Sequence, residues 1–70
     1  MVLVDAQGLS CPEPVMLAKK AAKDNPNQDI QVLVDNATAR DNITRMARSI
    51  KRSVSVQEEN GVYTLILSQA

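Results

Sequence analysis

The chain reads as a two-layer α/β (α+β) sandwich, with a four-stranded mixed sheet covered on one face by two helices in the order β-α-β-α-β-β. Three observations lead there. Apolar, β-branched runs of strand length stand at 2–5, 30–35, 53–58 and 62–67. Two stretches between the first three of them carry apolar residues at helical spacing. The last two runs flank Asn60-Gly61, a hairpin signal because both residues tolerate positive φ. Seventy residues suffice for one small domain, taken as 1–70.

Each element has its own warrant. Val-Leu-Val-Asp at 2–5 predicts a short buried strand ended by Asp5. Gln7-Gly8-Leu9-Ser10 is a turn, with Gly8 supplying tight or left-handed backbone, and good helix formers follow from Pro12 to about Lys23. Val15, Ala18 and Ala22 share one face of that helix, and Lys19 and Lys23 stack beside it. Pro26 and its asparagine neighbours stop it. Residues 30–35 are apolar almost throughout, which suits a central strand. A second helix follows, with Thr38 and Asp41 expected to form a capping box. Ala39, Ile43, Met46, Ala47 and Ile50 recur along it at helical spacing.

Composition narrows the function. The 8 basic and 8 acidic residues balance, which disfavours a general nucleic-acid binder, and Tyr63 is the sole aromatic for base stacking. The charge is nevertheless uneven: Arg40, Arg45, Arg48, Lys51 and Arg52 crowd a segment with only Asp41 against them. One cysteine, without histidine, forms neither an intramolecular disulfide nor a Cys/His metal site, so neither metal nor cofactor is expected. No secretory h-region and no long apolar run is seen, so the expectation is a cytoplasmic chain without membrane association. Asn42-Ile43-Thr44 matches the glycosylation sequon, read here as chance.

The chemistry concentrates at Cys11, directly before Pro-Glu-Pro. Proline is tolerated in the first turn of a helix, whose N–H groups lack intrahelical partners. Pro12 is placed at the first helical position, with Pro14 two residues on and Cys11 at or beside the N-cap. The positive end of the helix favours the thiolate, the nucleophilic form of cysteine. Glu13 opposes this, since a neighbouring carboxylate disfavours a second negative charge. A lone cysteine is also commonly a small buried apolar residue, and that reading stands beside the functional one. A thioredoxin-like cycle would need a second cysteine, and a Cys–His hydrolase a histidine. What remains is a one-thiol cycle in which the sulfur accepts a group and hands it on, as a persulfide carrier does.

Residues 4–21, VDAQGLSCPEPVMLAKKA, resemble the signature of the TusA/SirA-like family of small sulfur carriers. Asp5, Gly8, Cys11, Pro12 and Pro14 match its Asp-x-x-Gly-x-x-Cys-Pro-x-Pro pattern position for position. The family's β-α-β-α-β-β sandwich agrees with the order read above. From residue 32 to 67 the chain looks more like the YedF branch, including the TusA-like N-terminal domain of longer YedF proteins, a branch linked to sulfur or selenium metabolism. The resemblance implies that Cys11 accepts a persulfide sulfur from a cysteine desulfurase or rhodanese-type donor. It would then relay that sulfur to an acceptor protein, as in tRNA thiolation, acting stoichiometrically.

Two basic groups are candidates for docking acidic partners: Lys19, Lys20 and Lys23 on the first helix, and Arg45, Arg48 and Arg52 associated with the second. The competing function is a non-catalytic protein- or nucleic-acid-binding regulatory module that uses this second basic face and leaves Cys11 incidental. A selenium-handling carrier would use the same thiol as a sulfur carrier. The chain is expected to be a monomer.

Overall fold

A computed structural model describes residues 1–10 and 12–69. The elements are β1 (Val2–Asp5), α1 (Glu13–Asp24), β2 (Ile30–Val34), α2 (Ala37–Ser49), β3 (Val54–Glu59) and β4 (Val62–Leu67). They form one four-stranded sheet in the order β1-β2-β4-β3. The helix α1 returns the chain to the starting edge, so β1 and β2 pair in parallel with Val4 beside Val32. β4 then runs antiparallel between β2 and β3. Its hairpin with β3 turns on Asn60 and Gly61, at φ 53° and 81°, the two positive values expected of Asn-Gly.

Side-chain alternation decides which face the helices cover. Ile30, Val32, Val34, Leu65 and Leu67 are buried on one face, and Ala18, Ala22, Ala39, Ile43, Met46 and Ala47 close over them from the two helices. Four of those six are alanine, which lets the helices approach the sheet closely. The opposite face carries Leu3, Gln31, Ile66 and Ser55 in one cross-strand row and Asp5, Leu33, Thr64 and Gln57 in the next.

The structure corrects the expectation for the first strand. β1 is an edge strand, with Val2 and Val4 half-buried and Leu3 62% exposed, because only β2 flanks it and the helices cover one face alone. β3 is the other edge, and it begins at Val54 and not at Ser53. Its Val56 points to the covered face yet remains 43% exposed at this edge.

Helix ends differ in detail from the expectation. α2 is capped by Asn36, whose Oδ1 accepts the Ala39 N–H at 2.7 Å; Thr38 lies inside the first turn. The reason is the extended backbone at Asn36 (φ −150°), which brings its short side chain under the N3 amide. At the other end Lys51 sits at φ 64°, and the Lys51 and Arg52 N–H groups reach back to the carbonyls of Arg48 and Ala47. This is a Schellman turn built on lysine where glycine is usual. Pro12 is the N-cap of α1, one place earlier than its expected first helical position, and Pro14 is the second helical residue.

Arg52 departs furthest from its reading as a docking residue. It is 4% exposed. Nη1 donates to the carbonyls of Gln28 (2.9 Å) and Ser68 (3.3 Å), and Nη2 to those of Ala22 (3.2 Å) and Asn25 (3.1 Å). The Schellman turn carries it inward, where the planar fork matches the carbonyls at the end of α1 and after β4. Among the described residues no helix is long and apolar enough to cross a membrane.

Candidate functional site

The β1–α1 loop leaves the sheet at the end where β1 and β2 finish and both helices begin. Its first residue continues the parallel ladder, the Ala6 N–H donating to the Leu33 carbonyl at 2.9 Å. Asp5 Oδ1 then accepts the Gln7 N–H at 3.1 Å, turning the chain as an Asx motif. Gly8 follows at φ 78°. A Cβ at Gly8 would meet nothing within 4 Å, so glycine is required there by backbone conformation and not by space. The Gly8 N–H donates to Asp35 Oδ2 at 2.8 Å, across from the end of β2. Leu9 packs against the core, and the Glu13 N–H closes a turn onto the Ser10 carbonyl at 3.0 Å.

Cys11 itself lies outside the described residues. Its neighbours are placed: Ser10 and Pro12 are both exposed, Glu13 is exposed as the first residue of α1, and Pro14 is buried. Pro14 thus anchors the first turn in the core while Pro12 and Glu13 face solvent. Both helices begin at this end of the sheet, so their positive termini lie on the same side of the molecule. The charged side chain of Glu13 stands in the first turn of α1, where it favours the helix.

A second cluster borders this end. Arg40, early in α2, lies 4.9 Å from the centroid of the Tyr63 ring, and Tyr63 is registered against Val34, the last residue of β2. Arg40 Nε also donates to Asp41 Oδ1 at 2.9 Å. That hydrogen bond, ahead of the charge attraction, holds the Asp41 carboxyl below the usual carboxylate range and raises the Arg40 guanidinium. Both groups are in water, so the pair counts for little in stability.

The basic docking candidates separate. Lys19, Lys20 and Lys23 line one shallow depression on α1 together with Met16, which is 62% exposed. Lys19 and Lys23 also border a groove floored by Ala22 and Ile50, between the C-terminal halves of the helices. Arg45 and Arg48 are exposed on α2, whereas Arg52 is withdrawn into the interior as described above. Asp35, Arg40 and Tyr63 were not among the site residues read from the sequence. Val-Leu-Val-Asp occurs twice, at 2–5 and 32–35, which marks a second aspartate at a strand end, but only the folded chain shows that both aspartates accept a backbone N–H of the same loop.

The family model described as "Sulfurtransferase TusA" matches residues 2–69. Among solved structures, the SirA-like protein from Desulfitobacterium hafniense superposes with a TM-score of 0.90 at 34% identity, over 100% of both chains. A search of the curated proteins found no match. The motif, the strand order and the family model agree: this chain belongs to the TusA sulfurtransferase family, a family of sulfur carriers.

Proposed function

We propose that Cys11 is the residue that carries the sulfur, as a persulfide received from a cysteine desulfurase or rhodanese-type donor and passed to an acceptor protein. The observation that carries this reading is the match of Asp5, Gly8, Pro12 and Pro14 to ordered positions of one loop and helix start, in a chain of the TusA family. These four residues shape the backbone on both sides of position 11 and use no histidine or metal.

The reaction is a thiol exchange at sulfur. The Cys11 thiolate attacks the outer sulfur of the donor persulfide; a new S–S bond forms, the donor's S–S bond breaks, and the donor leaves as thiolate. Cys11 then bears –S–SH. An acceptor thiolate attacks that outer sulfur and releases Cys11 as thiolate. Each step is redox-neutral overall, so the chain needs no oxidant or reductant. No base is needed at the attacking atom either, provided the thiolate is populated, which the positive end of α1 favours.

Lys19, Lys20 and Lys23 with Met16 are the proposed docking strip for acidic partners, and the exposed Arg45 and Arg48 on α2 are a second candidate group. Along α1, Lys19 and Lys23 stand roughly 9 and 15 Å from the helix start, at about 1.5 Å per residue. A partner lying on this strip would bring its own cysteine to the loop end of the helix. The resemblance of residues 32–67 to the YedF branch supports reading the chain as a relative of that branch, a cytoplasmic monomer in tRNA thiolation or related sulfur or selenium metabolism.

The test is intact mass after incubation with a cysteine desulfurase and free cysteine, beside Cys11→Ser. A gain of one sulfur atom that reductant removes and the variant lacks is the expected result. A folded Cys11→Ser protein that still gains sulfur would overturn the assignment. Salt-sensitive partner binding that survives Cys11→Ser, with no loading of the parent, would instead favour the regulatory module.

A further inference from the structure

We infer that Asp35 is a positioning residue for Cys11, tying the cysteine loop to the cap of the second helix. The inference rests on the sulfur-carrier reading for its chemistry, but its geometry stands apart from it. Asp35 follows β2, 27 positions from the loop residue it holds, and its Oδ2 accepts the Gly8 N–H at 2.8 Å. Its other oxygen accepts from Asn36 Nδ2 at 3.3 Å. Asn36 in turn accepts the Ala39 N–H at 2.7 Å as the cap of α2. A continuous chain of hydrogen bonds thus runs from the first turn of α2 through Asn36 and Asp35 to Gly8, three residues before Cys11.

Each member suits its place. Gly8 makes the left-handed turn of the loop at φ 78°, and its N–H donates to a partner outside the loop. Asp35 immediately precedes the cap of α2, where the positive helix end favours a carboxylate. A carboxylate acceptor makes a shorter, stronger bond to a backbone N–H than a neutral one. The amide of Asn36 restrains the second carboxylate oxygen. The loop is therefore held at two points, Gly8 by Asp35 and Ser10 by the Glu13 N–H, with position 11 between Ser10 and the Pro12 cap. A persulfide exchange needs the thiol presented along the line of the attacked S–S bond, so a loop free to swing at Gly8 presents it productively less often.

The experiment compares the parent with Asp35→Ala and Asp35→Asn in three readings: sulfur loading by a cysteine desulfurase, iodoacetamide alkylation of Cys11 against pH, and hydrogen exchange of the Gly8 amide. Asp35 is exposed, so both variants fold. Loss of one hydrogen bond to a charged acceptor predicts that Asp35→Ala loads about three- to tenfold more slowly. Its Gly8 amide exchanges faster by a similar factor, and its profile of Cys11 alkylation against pH departs from that of the parent. Asp35→Asn keeps an oxygen acceptor and restores loading to within about twofold of the parent. Equal loading by Asp35→Ala and the parent overturns the inference, as does an Asn variant as impaired as the Ala variant. Should the parent itself fail to load, the sulfur-carrier reading falls alone. Gly8 exchange and Cys11 alkylation then decide the tether: a change in Asp35→Ala reversed in Asp35→Asn upholds it, and unchanged values overturn it.

Discussion

Replacing Arg52 tests whether one buried cation fastens three parts of the fold. In Arg52→Ala the carbonyls of Ala22, Asn25, Gln28 and Ser68 lose their shared donor. Only the bond to Ala22 is wholly buried; the other three are part-buried, and water replaces much of what they lose. Taking about 2 kcal/mol for the buried bond and roughly 0.5 kcal/mol for each of the other three gives a loss of about 3.5 kcal/mol. A domain of 70 residues has only about 4–10 kcal/mol in total, so this is a third or more of its stability. At about 7 °C per kcal/mol for a domain of this size, Tm falls by about 25 °C. Arg52→Lys keeps the charge but cannot serve four acceptors in two directions, and should lose roughly half as much. Urea unfolding followed by circular dichroism measures both. Because the group is buried, the loss should persist when salt rises from about 0.1 M to about 1 M and the Debye length falls from about 10 Å to about 3 Å. A lysine variant as stable as the parent, an alanine variant within about 1 kcal/mol of it, or a difference erased by salt would refute the reasoning.

Other substitutions probe the helix ends and the exposed ion pair. Lys51→Gly should stabilise by about 0.5 kcal/mol in urea unfolding, because relief of left-handed strain at φ 64° exceeds the added chain entropy of glycine. Asn36→Ala should cost about 1 kcal/mol through loss of the α2 cap, and Asn36→Ser should recover most of it. Arg40→Ala should let the Asp41 carboxyl rise toward its ordinary value in an NMR titration. The sign follows from the lowered folded value: whatever the pair contributes is present above the unfolded Asp pKa and is lost as pH falls through the folded one.

What could be read in advance follows from the range of the interaction involved. The β3–β4 hairpin is encoded locally by Asn60-Gly61, and the helix faces by the recurrence of Ala39, Ile43, Met46 and Ala47, so both were legible. The edge position of β1 was not, because Val2 and Val4 look alike in a central and an edge strand until the sheet order is known. Arg52 looked like one more surface cation continuing the spacing of Arg45 and Arg48. The helix ends at Ser49, the left-handed Lys51 breaks that spacing, and all four of Arg52's partners are backbone carbonyls, which carry no residue-type signal. The loop before α1 was legible from Asp5, Gly8, Pro12 and Pro14. Its anchor at Asp35 was not, because a hydrogen bond spanning 27 positions depends on the parallel pairing of β1 with β2.

The two ends of the sheet are secured by different means. At the end where the strands β1 and β2 begin, Arg52 draws the C-terminus of α1, the following turn and the residue after β4 onto one guanidinium, and Asp29 Oδ1 accepts the Gln69 N–H at 2.9 Å. The guanidinium is buried although most of its bonds are part-buried, and breaking them costs a third or more of the fold's stability. At the opposite end the tether of Gly8 to Asp35 is exposed, and its loss costs a few tenths to about 1 kcal/mol of local order. A carrier thiol must meet two partners in turn, so its loop has to yield to each without unfolding the sheet beneath. Placing the strong, buried fastening at the far end and a single exposed carboxylate tether at the near end satisfies both demands. Stability and sulfur transfer should therefore separate by mutation: Arg52→Lys lowers Tm by more than about 10 °C with loading kept, and Asp35→Ala slows loading with Tm lowered by only a few degrees.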